Sequence, residues 1–122
     1  MGNRAQSWAQ TEVVSQGGSL LVVKRAVVNT ASANTTLVAA VTSAHIRVVF
    51  MTLVLGAAAN IRLESTSGGT ALTGVMEIAA NGGIVWPFNP VGWVETTVGE
   101  LLNLEQSGTV NIDGVVGYIE AL

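Results

Sequence analysis

The chain has no cysteine among its 122 residues, which excludes disulfides and thiolate metal sites. It has one histidine, His45, so no site can draw two imidazoles from one copy. Basic residues are scarce: five Lys and Arg against eight Asp and Glu give a net charge of −3. No basic cluster exists beyond Lys24-Arg25. Nucleic-acid binding needs several clustered phosphate contacts, so no nucleic-acid partner is expected. The longest apolar run, VVFMTLVLGAAA at 48–59, is interrupted by Gly56 and lies between Arg47 and Arg62. A spanning helix needs about 20 apolar residues, so no membrane span is expected. The opening stretch MGNRAQSWAQTEVVSQGGS lacks the apolar core of a secretory signal. Charge is also short overall, at 11% of residues against 49% hydrophobic. A small domain this poor in charge has little with which to solvate its surface. Surplus apolar area implies a partner surface, so oligomerisation is expected.

What is present is β-forming. Val, Ile and Thr dominate, and short apolar runs alternate with Gly, Asn, Ser and Thr clusters, the pattern of an all-β sandwich or barrel. Strands are predicted over 19–29, 36–41, 44–56, 61–65, 71–79, 84–88, 99–107 and 109–122. Turn chemistry separates them in NTASAN at 29–34, STSGGT at 65–70 and AANGG at 79–83. Residues 61–65 alternate cleanly, placing Ile61 and Leu63 inward and Arg62 and Glu64 outward. The expected fold is therefore an eight-stranded antiparallel jelly-roll β-sandwich over residues 19–122. Residues 1–18 are expected to form an extended N-terminal arm, closed by the Gly17-Gly18 hinge. Strict alternation along 45–55 would point Ile46, Val48, Phe50 and Val54 one way and Val49, Met51, Leu53 and Leu55 the other. Both faces of that strand are then apolar, where an antiparallel sheet with one wet face should alternate. Either this strand is covered twice within one chain, or its outer face packs on a neighbouring chain; the second is easier to arrange in a small sandwich and is the expectation.

The chemistry-bearing motifs are missing. There is no G-x-x-x-x-G-K-S/T, no G-x-G-x-x-G and no G-x-S-x-G. His45 would have to find Ser43 or Ser65 in space, and a lone histidine beside a long strand reads as structural. Glu64, Glu77, Glu95, Glu100, Glu105, Asp113 and Glu120 could supply a carboxylate pair, but most sit on alternating strands and are expected in solvent. The NIDG stretch at 111–114 lacks the acid-rich spacing of a calcium loop. No catalytic residue, metal or cofactor is expected, and the chain is not expected to be an enzyme.

Residues 86–93, WPFNPVGW, hold two of the three tryptophans and both prolines. Pro87 and Pro90 fix φ and remove two amide donors, so this stretch cannot pair as a continuous central strand. One reading is a structural corner whose apolar plugs, Trp86, Phe88 and Trp93, contact another subunit, since aromatics are enriched in such contacts. The other is a platform that stacks on sugar rings.

An ordered set of motifs carries a resemblance. NTTLVAAV at 34–41, TALTG at 70–74, AANGG at 79–83, PFNPVGW at 87–93 and GELLNL at 99–104 together resemble a family of small phage virion proteins, described as head decoration, cement or minor structural proteins. The likeness covers residues 30–120, about three quarters of the chain. It implies a jelly roll that forms a homotrimer and binds the major capsid protein on the outside of the virion, at threefold positions. There it would clamp capsomers of the expanded head, after synthesis in the host cytoplasm. Trp86, Phe88 and Trp93 are then expected at the base or threefold seam of the trimer. Arg4 and Trp8 in the arm are expected to order on the capsid surface. The competing expectation is a carbohydrate-binding jelly roll of a head or tail fibre.

Overall fold

The computed structural model describes residues 13–16 and 19–122. In chain order the strands are β1 Val13–Gln16, β2 Ser19–Val22, β3 Lys24–Thr30, β4 Asn34–Val38, β5 His45–Leu55, β6 Ala59–Ser65, β7 Thr70–Ala71, β8 Met76–Ile78, β9 Gly83–Trp86, β10 Val94–Glu95, β11 Leu102–Gln106 and β12 Ile112–Ala121. There is no helix among the described residues. β1 and β2 pair as an antiparallel ribbon, so the expected boundary at residue 18 falls between its strands. The rest form two antiparallel sheets of five strands. In the first, the order is β10-β5-β12-β3, with β9 also on β5; in the second it is β4-β11-β6-β7, with β8 also on β6.

The sheets pack on each other through one apolar core. The first sheet contributes Val28, Ile46, Val48, Met51, Leu53, Leu55, Ile112 and Val116, all buried. The second contributes Val38, Ile61, Leu63, Leu102 and Leu104. Burying each such side chain stabilises the fold by about 1.5–3 kcal/mol before entropy is counted. The turn expected at 79–83 forms, with Asn81 at φ 61° and the Gly82 amide donating to the Ala79 carbonyl at 2.9 Å. Gln106 fastens the last loop: its side chain donates to the Ser32 and Val110 carbonyls and accepts from the Val110 amide.

The expectation of eight continuous strands needs correction. The strand predicted over 19–29 breaks at Val23, so β2 leaves the sheet and only β3 joins it. The run 71–79 divides into β7 and β8, both on the same edge of β6. Between them the Thr73 hydroxyl, not a backbone carbonyl, accepts the Leu63 amide at 3.1 Å. The run 84–88 ends at Trp86, before Pro87, and the unexpected β10 resumes on the same β5 edge.

The faces of β5 also differ from strict alternation. Opposite β12, Gly117 pairs with Phe50 but Tyr118 pairs with Val48, so Val49 is an extra residue. Such a bulge shifts the alternation by one. Ile46 and Val48 point into the core before it; Met51, Leu53 and Leu55 do so after it. Val48 and Met51 therefore share a face, and Phe50 moves to the outside. Gly117 makes the bulge possible, because a Cβ there would occupy the space of the Phe50 ring.

Candidate interaction surface

The outer face of the first sheet is where the apolar surplus collects. The bulge divides it into two halves. In the half beyond the bulge, Val49, Ile119 and Ala121 are buried and Phe50 half-buried, under Leu21 and Val23. Part of the double apolar face of β5 is thus covered by the chain's own β2 end, the alternative to the preferred cover by a neighbour.

The other half has no such cover among the described residues. One cross-strand row runs Val85–Thr52–Val115–Val27, from β9 through β5 and β12 to β3. The next row is Gly83–Val54–Asp113–Asn29. Val27 is 84% exposed and Val85 70%, with Val54 also exposed. Scattered surface valines need no explanation, but a contiguous apolar patch on a sheet face marks a contact. The sequence signal was available in AVVNT, where Val27 and Val28 are adjacent and must face opposite ways. Only the knowledge of which face is inside was missing.

The tryptophan stretch lies on the β5 edge of the same sheet. β9 ends at Trp86, the chain leaves the ladder at Pro87, and β10 resumes at Val94. The excursion stays tethered: the Asn89 amide donates to the Val49 carbonyl and the Trp93 amide to the Val48 carbonyl, both at 2.8 Å. Asn89 shapes the turn, accepting the Val91 amide at its side chain and the Gly92 amide at its carbonyl. Gly92 has φ 96°, and a side chain there would overlap the Arg47 stem. Trp86 packs against the core and stacks on Trp93, with ring centroids 5.5 Å apart and planes 22° apart. The Trp93 indole N–H donates to the Pro87 carbonyl at 2.8 Å. Of the three aromatic residues singled out from sequence, Trp86 is the internal anchor. Phe88 and Trp93 are exposed, as is Val91 between them. A shallow cleft of about 320 Å³ beside them is lined by Arg47, Val91, Gly92, Trp93, Val94 and Glu95, with Arg47 Nε donating to Glu95 Oε1 at 2.7 Å. Arg4 and Trp8 lie outside the described residues.

The polar candidates are engaged structurally. His45 Nδ1 sits 2.7 Å from the Thr96 carbonyl. Ser65 is buried; its hydroxyl donates to Glu100 at 2.6 Å and accepts the Thr97 amide. Glu64 corrects the sequence reading most clearly. Alternation places it outward with Arg62, yet it is 0% exposed, because the 66–72 segment folds back over it. The Gly68 amide donates to its Oε1 at 3.1 Å, and Asn103 Nδ2 does so at 2.9 Å. Arg62 donates to its Oε2 through Nε at 2.9 Å and Nη2 at 2.7 Å. Burial alone would raise the Glu64 pKa; the bonds from Gly68, Asn103 and Arg62 outweigh it and hold the carboxyl below its ordinary range. Every buried side-chain nitrogen and oxygen among the described residues has a partner. Among these residues no group of three or more His, Asp and Glu is placed to hold a metal.

The chain was compared with protein-family models, curated proteins and solved structures, and none matches.

Proposed function

We propose that this chain is a virion structural protein, a trimeric decoration protein that binds the outside of a phage capsid at threefold positions and stabilises the expanded head. The observation that carries the reading is the exposed apolar surface of the first sheet and its edge loop: Val27, Val54 and Val85 on the face, Phe88, Val91 and Trp93 on the loop. A charge-poor domain with this much uncovered hydrocarbon is built to be covered. The ordered motifs that resemble virion decoration proteins supply the partner, a capsid shell.

The finer fold reading, a jelly roll, is supported by strand order. Counting β7 with β8, and β9 with β10, as interrupted single strands leaves eight in the two sheets. The first sheet then runs first, eighth, third and sixth; the second runs second, seventh, fourth and fifth. That interleaving is the order of a jelly roll built from two Greek keys.

The mechanism has no chemical step. A ligand that binds only the assembled shell stabilises it by RT ln(1 + [L]/Kd). A trimer that grips several capsomers at once gains avidity from simultaneous contacts. The sheet face serves the contact between copies, and Phe88, Val91 and Trp93 serve the contact with capsid. Mixing the purified protein with expanded empty heads tests the reading. Added density at threefold positions supports it, and bare heads at saturating protein would overturn it.

A second reading, a carbohydrate-binding module of a fibre, is favoured by one observation. Exposed Trp93 borders a cleft that also holds Arg47 and Glu95, an aromatic ring beside polar groups. Tryptophan fluorescence during glycan titration separates the two readings.

A further inference from the structure

We propose that the β1–β2 ribbon of one copy lies across the uncovered half of the first sheet of the next copy, so that copies join head to tail and close into a ring. This deepens the oligomeric reading above and rests on it.

The chain already shows the packing once. Leu21 on the ribbon, with Val23 just after it, covers Val49, Phe50, Ile119 and Ala121 on the outer face of the first sheet. Side chains alternate along a strand, so the ribbon has a second side. There Leu20 is 70% exposed and Val22 47%. The sheet likewise has a second half, the patch of Val27, Thr52, Val54, Val85 and Val115. Ribbon side and sheet patch are both apolar, both on every copy, and in different places. A contact between two different patches of identical chains is heterologous, and it closes into a ring when its rotation permits.

Area argues the same way. The uncovered half is four strands wide and, where β9 pairs with β5, four residues long, about 19 by 13 Å, or roughly 250 Å² of flat sheet. A stable interface needs about 800 Å² per partner, so two such patches face to face fall well short. In a ring every copy makes two contacts, one through its patch and one through its ribbon, and closure lets small contacts hold together that would not hold singly. Charge raises no barrier. The patch is bordered by Arg25 and Asp113, of opposite sign, and the ribbon base by the Lys24–Glu120 pair at 3.0 Å. Neither surface brings net charge into the contact.

The absence of cysteine allows a clean test on the full chain. Leu20→Cys and Thr52→Cys proteins, prepared separately, are mixed under mild oxidation. The expected product is a disulfide between unlike copies, with little cross-linking in either protein alone. Thr52→Cys joining to itself would mean the sheet patches face each other and overturn the proposal; no cross-link in the mixture would overturn it too. Paired charge variants give a second measurement. Leu20→Lys/Val22→Lys removes the ribbon side, and Val27→Lys/Val85→Lys removes the patch. Each alone is expected to sediment as a folded monomer, because neither can close the ring. Either variant sedimenting as the native oligomer refutes the head-to-tail arrangement. Head binding is scored separately: binding without the cross-link would sink the ring contact alone, and the cross-link without binding would sink the decoration reading alone.

Discussion

Replacing Glu64 by glutamine removes a buried charge while keeping the shape of the side chain. In the native protein the carboxylate accepts from the Gly68 amide, Asn103 Nδ2 and Arg62, and it has no contact with solvent. Hydrogen bonds to a charged group contribute about 1.5–3 kcal/mol, against about 0.5–1.5 for neutral pairs. Each of the three donors therefore loses about 1 kcal/mol of interaction. In the glutamine, one oxygen also becomes an NH2 that meets another donor. Arg62 keeps a second partner, Glu105 Oε1 at 2.8 Å, which places the cost near the low end of the 3–5 kcal/mol for breaking a buried pair. About 3 kcal/mol corresponds to a fall in Tm of roughly 12 °C for a domain of this size. The effect also carries a pH signature. The folded-state pKa of Glu64 lies below its ordinary value of 4.5. Its contribution is then fully present above that value and lost as pH falls through the lower, folded-state pKa. Melting curves by circular dichroism from neutral pH into the acid range should show the wild-type and Glu64→Gln midpoints converging at the acid end. Equal midpoints at neutral pH, or a gap that persists unchanged in acid, would refute the reasoning.

Gly117→Val should destabilise the fold, because the new side chain meets the Phe50 ring; overpacking costs about 1–3 kcal/mol, and chemical denaturation would show a lower midpoint. Phe88→Ser combined with Val91→Ser should leave the melting midpoint within a few degrees, since both residues are exposed, yet weaken binding to expanded heads at least tenfold in a pelleting assay. Trp93→Ala loses the stack on Trp86 and the bond to the Pro87 carbonyl; a shift in Trp86 fluorescence, with lowered stability of about 1–3 kcal/mol, is the expected result. Deleting residues 1–12 should leave the oligomer intact in sedimentation while weakening head binding.

Much of the fold was legible because it followed from period and punctuation. Ile61 and Leu63 are inward and buried as their alternation requires, Asn81-Gly82 makes its turn, and Pro87 ends a strand at Trp86. What escaped needed information from a distant residue. The face of Phe50 depends on a bulge whose cause, Gly117, lies on another strand. Glu64 reads as a solvent carboxylate until the 66–72 segment is seen folding over it. The break at Val23 carries no turn residue in SLLVVKRAVVN; its only mark is the charged pair Lys24-Arg25, which a solvent-facing strand could also hold. β10 is two residues long and has no period to detect. The candidate surface was half legible. The aromatic stretch stood out by composition, but the valine patch emerges only when four strands are set side by side.

Multi-angle light scattering of the full chain, read at high concentration and neutral pH, bears most directly on whether the uncovered first-sheet face is a contact between copies. A trimer, three times the 12.5 kDa chain mass, is the expected species. A single folded chain that remains alone as concentration rises would contradict it.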